Sequence, residues 1–373
     1  MRARAGGGDL GARRVVLLAD LDYFYSQAEE LRNPSMRGKP VVVCVYSGRT
    51  EESGVVATAN YEARKYGVRS GMPIALAKKR LSGADPVFLP VDFPYYKEVS
   101  ERVIGIMKEY SDQLEQVGLD EAYLDVSNRV EDFVEAEQLA KEIKRRVLQE
   151  AGLKLTIGVG PNKIIAKMAS DAAKPDGLMV IRPENVEEFI SPLPVDKIPG
   201  VGKKTAERLE RMGIKTIKDL AQFDPVRLVD EFGESLGAYL HAASRGEDED
   251  PVRGRAEAGS MSRIITLKEN TKDLKAVLPK VDEICEEIHE RAVREGVLFR
   301  TIGIIAITSD LGIKTRTKSL PAPTDDLGTL KRESSELVKK FLQSTDKEIR
   351  RIGVHISDFT RREKGQRTLS GYI

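Results

Sequence analysis

The residues best placed to do chemistry are Asp120 and Glu121, inside the stretch Val117-Gly-Leu-Asp-Glu-Ala-Tyr-Leu-Asp-Val126. These adjacent carboxylates lie in a run of β-formers, where burying an uncompensated charge is costly, so something must pair them. A divalent cation is the natural partner. Neighbouring side chains on a flat strand point to opposite faces, so both can reach one site only at a strand end or a tight hairpin, which Gly118 allows. Taken alone, an Asp-Glu pair is more often an exposed turn. A second stretch, Val15-Val-Leu-Leu-Ala-Asp-Leu-Asp-Tyr-Phe-Tyr25, changes the balance, because an apolar strand delivers Asp20 from its carboxyl end. Acidic residues at two strand ends, about a hundred residues apart, are the usual carboxylate set of a two-metal phosphoryl-transfer site. Mg²⁺ wants oxygen ligands and takes a few carboxylates, with substrate phosphates and water completing its shell.

Other groups suit a phosphate-rich substrate. Thr58, Tyr61 and Arg64 fall at three-residue spacing, which a continuous helix would bring to one side. A hydroxyl and a guanidinium there meet the needs of a triphosphate, and the bland alternative is a solvated helix face. Ile198-Pro-Gly-Val-Gly-Lys-Lys-Thr-Ala-Glu-Arg-Leu209 resembles a helix-hairpin-helix. Its Gly200-x-Gly202 turn offers backbone N–H groups to a phosphate, and Lys203, Lys204 and Arg208 flank it. A weaker copy spans Phe232-Gly-Glu-Ser-Leu-Gly237. Such turns grip nucleic-acid backbone without reading sequence. Lys314, Arg316 and Lys318 alternate along one strand and so share a face. A charged edge that resists aggregation is one reading. With Arg263, Arg350 and Arg351 on neighbouring strands, a face that tracks DNA phosphates is the preferred one. Gln366, Leu369 and Tyr372, spaced by three in the tail, have the spacing of a short anchor peptide.

The elements that must position these groups can be laid out along the chain. At 373 residues, 40% apolar and 32% charged, it is an ordinary globular protein of two to four domains. A β-α-β-β-α-β order from Val15 to Val159, with an insertion after the first helix, predicts a ferredoxin-like palm. Helices dominate beyond residue 180, and a polar, glycine-containing linker runs from Ser244 to Gly259. A second α+β unit follows, with strands at 261–267, 298–309, 313–320 and 349–357 and helices at 271–295 and 328–343. No run of about eighteen apolar residues occurs, and the N-terminus lacks a signal-peptide core, so a cytoplasmic protein without membrane contact is expected. Cys44 and Cys285 lack metal-ligand spacing and are expected to be buried and unpaired. A net charge of +1 and three scattered histidines leave the chemistry to carboxylates and metal.

Five motifs occur together and in order: Asp20-Leu-Asp-Tyr-Phe-Tyr25, Ala59-Asn-Tyr-Glu-Ala-Arg64, Leu119-Asp-Glu-Ala-Tyr-Leu-Asp125, Gly158-Val-Gly-Pro-Asn-Lys163 with Ala173-Lys-Pro-Asp-Gly177, and Ile198-Pro-Gly-Val-Gly202. Over roughly residues 14–358 the chain resembles the Y-family translesion DNA polymerases of the archaeal polymerase IV type. The resemblance implies an α+β multidomain fold: a palm (14–32 and 91–181), small fingers (33–90), a helix-hairpin-helix thumb (182–246), a linker (247–258) and an α+β little finger (259–357). A disordered extension (1–13) and a flexible tail (358–373) would flank these. Asp20, Asp120 and Glu121, with the carbonyl of Leu21, would hold two Mg²⁺ ions. Asp22 is not a ligand in the family's pattern. Tyr25 would be a steric gate against the sugar 2′ position, and Phe24, Tyr25, Thr58, Tyr61, Arg64 and Lys174 would bind the nucleotide. Gly200, Gly202, Lys203, Arg263, Lys314, Arg316, Lys318, Arg350 and Arg351 would contact DNA. The implied partners of a monomeric enzyme are primer-template DNA, deoxynucleoside triphosphates and, through the tail, a sliding clamp. Tyr372-Ile373 stands where the clamp peptide has an aromatic pair.

Two other readings use the same residues. A nucleotidyl cyclase pairs strand-borne carboxylates with two metals but needs neither the helix-hairpin-helix nor a basic sheet. A DNA-binding scaffold with a degenerate palm would have no need of three carboxylates and a triphosphate set.

Overall fold

The computed structural model describes residues 14–254 and 259–361. They form two compact units, one of residues 14–45, 56–72 and 76–254, the other of residues 46–55, 73–75 and 259–361. The first begins with β1 (Val16–Leu21), α1 (Phe24–Arg32), β2 (Val41–Tyr46) and β3 (Gly54–Ala59). It continues through α2 (Tyr61–Lys65), α3 (Ile74–Arg80), β4 (Val87–Pro90), α4 (Phe93–Lys108), β5 (Gln113–Gln116) and β6 (Glu121–Asp125). Then come α5 (Phe133–Ala151), β7 (Leu155–Gly160), α6 (Lys163–Ala173) and β8 (Leu178–Val180).

The palm sheet has the order β5-β6-β1-β7-β8, with β1 antiparallel to both of its neighbours. Its first four strands reproduce the ferredoxin-like arrangement, and β8 adds a fifth beside β7 in parallel. Alternation along β1 splits its side chains: Leu17, Ala19 and Leu21 join the main core with Phe133, Ile143 and Val147 of α5, while Val16 and Leu18 face Tyr123 and Ala166. Asp20 continues the second set, so it stands on the face covered by α6. Close approach of α6 explains the glycines of β7: a Cβ on Gly158 would lie 2.1 Å from the Ala166 carbonyl oxygen. A small sheet of order β3-β2-β4 makes up the insertion, and α3 and β4 were not foreseen from the sequence.

After β8 the chain is helical: α7 (Val186–Ile190), α8 (Lys203–Arg211), α9 (Ile217–Ala221), α10 (Pro225–Phe232) and α11 (Glu234–Ser244). The stretch beyond α11, expected as linker, is anchored to the palm over much of its length. Asn162 donates to the Gly246 carbonyl at 2.7 Å, Asp250 pairs with Lys163 at 2.6 Å, and Val252, 1% exposed, packs beneath Val16 and Tyr123.

The second unit contains β9 (Ser260–Thr271), α12 (Leu274–Glu295), β10 (Val297–Thr308), β11 (Ile313–Thr324), α13 (Leu327–Gln343) and β12 (Ile349–Arg361). Every element expected there is found, most of them longer. The sheet order is β11-β10-β12-β9, antiparallel throughout, and both helices pack on one face around Ile302, Ile304, Ile352 and Val354. Cys44 and Cys285 are buried, and neither forms a disulfide. Among the described residues, no helix is long and apolar enough to cross a membrane.

Candidate active site

Asp20 and Glu121 are register partners across the β1–β6 ladder, so their carboxylates share the α6 face of the sheet. Asp120 sits in the hairpin just before β6, where its carbonyl accepts from Leu21 N–H at 2.8 Å. A Cβ on Gly118 would come within 3.1 Å of Asp120 Oδ1, so the glycine leaves the carboxylate its room. The strand-end geometry expected for the pair is what the chain adopts.

Two ammonium groups from the α6 segment meet these carboxylates. Lys174 Nζ is 2.6 Å from Asp20 Oδ2, and Lys167 Nζ is 2.8 Å from Glu121 Oε2 and 3.8 Å from Asp20 Oδ2. Lys167 was not foreseen from the sequence. Its signal was a position one turn from Asp171 and two turns from Lys174 on a helix whose opposite face is apolar. Burial pushes the Asp20 carboxyl up to about 6 even with both lysines beside it, and burial raises Asp120 as well, with the Glu121 charge adding to it.

Among the described residues, no three His, Cys, Asp or Glu side chains stand in a ready metal-ligand cluster. Lysines rather than a ring of carboxylates surround Asp20. The donor set nevertheless fits a hard cation: it consists of carboxylate oxygens, three carboxylates against two ammonium groups, with Asp20 buried, Glu121 half-buried and Asp120 on the exposed side.

The nucleotide residues divide. Tyr25 is half-buried, stacked on Tyr96 and edge-on to Phe93, and its hydroxyl is raised by burial and by the Asp120 charge. Phe24, expected to bind nucleotide, has its ring in the core at 2% exposure, which leaves its main chain as the part that a ligand could meet. Thr58 is not on a helix with Tyr61 and Arg64. Asn60 accepts from Ala63 N–H at 3.0 Å as an N-cap, so the helix begins at Tyr61 and Thr58 belongs to the preceding strand, which ends at Ala59. Tyr61 packs edge-on against Tyr23, with centroids 5.4 Å apart, and the Arg64 guanidinium lies 4.7 Å over the Tyr61 ring while its Nε donates to the Ala59 carbonyl.

In the helical part, Gly200 has φ +83° and Gly202 caps α8 with no side chain bound to its first N–H groups. Lys203 beside it is exposed, with its Nζ 3.8 Å from Glu207 Oε1. The second glycine turn is real too: Gly233 has φ +83° and starts α11, and a Cβ on Gly237 would strike Val229 of α10 at 2.7 Å.

The basic set of the second unit does not form one surface. Lys318, Arg316 and Lys314 oppose Ile302, Ile304 and Ala306, and Arg263 opposes Val354, so all four lie on the helix-covered face. Lys318 pairs with Glu333 of α13, Arg263 with Glu287 of α12, and Arg316 lies over the Phe341 ring. Arg351 alone is placed by the register on the other face, with Gly303, His355, Thr315 and Thr317, while Arg350 sits at the ladder irregularity. Gln366, Leu369 and Tyr372 lie outside the described residues.

The chain matches the model of the impB/mucB/samB family over residues 19–171, that family's C-terminal domain over 258–370, and the DNA polymerase-iota thumb domain over 196–248. It is 45% identical to DNA polymerase IV of Nitrosopumilus maritimus over 362 residues, covering 96% of this chain and 99% of that one. To DNA polymerase IV of Metallosphaera sedula it is 44% identical, covering 93% and 97%. Among solved structures, the Y-family DNA polymerase chimera Dbh-Dpo4(243-245)-Dbh superposes with a TM-score of 0.88 at 36% identity, covering 93% of this chain and all of that one. DinB from Sulfolobus solfataricus does so with a TM-score of 0.62 at 36% identity, covering 92% and 98%.

Proposed function

Because the chain belongs to the impB/mucB/samB family, the Y-family DNA polymerases, and is a DNA-directed DNA polymerase, we propose that it extends primers across damaged template bases, with low fidelity, by two-metal nucleotidyl transfer. The reading is carried by the opposition of Asp20 and Glu121 on one ladder, with Asp120 in the adjoining hairpin.

In this reading Asp20, Asp120 and Glu121, with the Leu21 carbonyl, hold two Mg²⁺ ions. When bound, the metals activate the primer 3′-hydroxyl and neutralise the departing pyrophosphate. Lys174, Tyr61, Arg64 and Thr58 bind the triphosphate, and Lys167 balances Glu121 between turnovers. Tyr25 sets its ring against the sugar so that a 2′-hydroxyl clashes. The small fingers leave the nascent pair loosely enclosed, which weakens geometric rejection of wrong pairs and admits damaged bases. Gly200, Gly202 and Lys203 grip duplex phosphates through backbone N–H groups and charge. In the second unit the DNA-facing side is the helix-free sheet face, with Arg351 as its charged member. The tail residues Gln366, Leu369 and Tyr372 engage a sliding clamp, and the enzyme acts as a cytoplasmic monomer.

The test is primer extension with Mg²⁺ on undamaged and abasic templates, comparing wild type with Glu121→Ala at matched DNA occupancy. Extension and abasic bypass by wild type alone support the reading. Nucleotide consumption without DNA would point to a cyclase, and DNA binding without extension to a scaffold.

A further inference from the structure

Asp22 is 2% exposed, carries a carboxylate, and has no part in the mechanism above. Its Oδ1 accepts from Thr156 Oγ1 at 2.9 Å, and its Oδ2 accepts from the backbone N–H of Asp176 at 2.7 Å. Both oxygens are thus turned away from Asp20 and Glu121 and onto the turn that follows α6. Its main chain is equally fixed: its N–H donates to the Lys154 carbonyl at 3.2 Å, and its carbonyl accepts from Gln27 Nε2 at 2.7 Å. A buried carboxylate with two donors is an anchor, since losing it leaves an N–H unpaired in the interior.

What it anchors is the segment that carries Lys174. Lys174 leaves α6 in an extended conformation, and Asp176, two residues on, has φ +49°. Gly177 closes the turn, and a Cβ there would lie 1.9 Å from the Ala173 carbonyl oxygen. The Asp176 side chain is held from the other side, by Lys144 at 2.9 Å and Lys154 at 2.8 Å. The turn is therefore suspended between Asp22, α5 and the start of β7, and from it the Lys174 ammonium reaches Asp20 Oδ2 at 2.6 Å. The arrangement links the chain just past Asp20 to the lysine that meets Asp20.

We propose that Asp22 is a positioning residue for nucleotide binding: by holding the Asp176 N–H and the Thr156 hydroxyl, it aims Lys174 at the incoming triphosphate. The proposal rests on the triphosphate role given to Lys174 above. Asp22 touches neither substrate nor metal and acts only through that turn. An asparagine can keep one acceptor on Asp176 N–H while Thr156 Oγ1 rotates to accept from its amide, whereas alanine satisfies neither donor.

The experiment is a double-mutant cycle on steady-state primer extension, with KM for the nucleotide, kcat and DNA affinity read separately. Asp22→Ala is expected to raise KM by on the order of tenfold, as the loss of a charge-assisted buried bond allows, with kcat and DNA affinity near wild type. Asp22→Asn is expected to restore most of the KM. Lys174→Ala raises KM by itself, and adding Asp22→Ala to it should change nothing further. If instead the two effects multiply, Asp22 acts independently of Lys174 and the proposal fails. A Lys174→Ala variant with unchanged KM would remove the triphosphate role and the proposal with it, while leaving polymerase activity intact. Should Asp22→Ala not fold, Thr156→Val takes its place in the cycle with Lys174→Ala, and multiplicative effects there overturn the proposal equally.

Discussion

Tyr25 stacks on Tyr96 with ring centroids 4.4 Å apart and 13° between their planes. Tyr96 is wholly buried and donates its hydroxyl to Glu29 Oε1 at 2.8 Å, and Glu29 is itself 5% exposed. The half-buried ring at the mouth of the site is thus backed by a ring that cannot move. A gate of this kind discriminates by clash only if it is unable to yield, and the stack supplies that stiffness.

Truncation of the gate should therefore change sugar selection and little else. Tyr25→Ala is expected to incorporate ribonucleotides at rates approaching those of deoxynucleotides, with deoxynucleotide incorporation largely kept. Competition between the two sugars on one primer-template measures it. Unchanged selectivity would remove Tyr25 from the gate.

Metal binding should appear as stability. Burial pushes the Asp20 carboxyl up to about 6. Its folded-state affinity for the proton is raised, so the ionised form weakens the fold progressively as pH climbs from the ordinary carboxylate range through about 6, and fully above that. A cation at the carboxylates relieves this cost. At pH 7.5, Mg²⁺ at about a hundred times its Kd should stabilise wild type by about 2.7 kcal/mol. Asp20→Asn should melt higher than wild type without metal and gain less from the same Mg²⁺, because only Asp120 and Glu121 remain to bind it. Thermal melts with and without chelator decide it, and a variant that responds to Mg²⁺ as fully as wild type would place the metal elsewhere.

Much of this site was legible because its signals are local. A strand ending in Asp20 and a hairpin opening with Asp120-Glu121 need only the two-residue period of strands to be placed, and the ladder then brings them together. The elements of the second unit were legible for the same reason. What escaped depends on long-range register or packing. Alternation puts Lys314, Arg316 and Lys318 on one face, but only their opposition to Ile302, Ile304 and Ala306 reveals that it is the side of the sheet on which the helices pack, with the three side chains exposed at its edge. Val252 sits in a polar stretch, and its burial against Val16 and Tyr123 has no periodic trace. The spacing of Thr58, Tyr61 and Arg64 misleads for a local reason: residues 55–59 read as a strand and 60–66 as a short helix, as the structure has them, so only a helix running through Asn60 would have joined Thr58 to the other two.

The β7 glycines make a prediction about packing. A Cβ at Gly158 would stand 2.1 Å from the Ala166 carbonyl oxygen and 2.2 Å from Ser170 N, both backbone atoms of α6. Relief requires the helix to lift from the sheet, and α6 carries Lys167 and leads into Lys174. Gly158→Ala should cost at least about 1–3 kcal/mol, the usual range for overpacking. It should also raise KM for the nucleotide, because both ammonium groups retreat from the carboxylates. A melting temperature equal to wild type would mean that the contact is softer than the backbone allows.

The two faces of the second unit's sheet make different predictions about salt. A side chain that neutralises a duplex phosphate contributes about 0.9 to the slope of log K against log salt. Lys318 is committed to Glu333 at 2.6 Å, Arg263 to Glu287 at 2.9 Å, and both lie on the face that the helices cover. Arg351 is on the helix-free face, with Thr315, Thr317 and the glycines Gly303 and Gly353, over which the His355 ring and the Ile264 side chain lie. Arg351→Gln should lower the slope by about 0.9, whereas Lys318→Gln should leave it unchanged, since the lysine already has a carboxylate partner. Titrating primer-template binding across a range of salt concentrations separates the two. The reverse pattern, a slope that falls with Lys318 and not with Arg351, would turn the sheet over and return the phosphate-tracking role to the lysine-bearing edge strand.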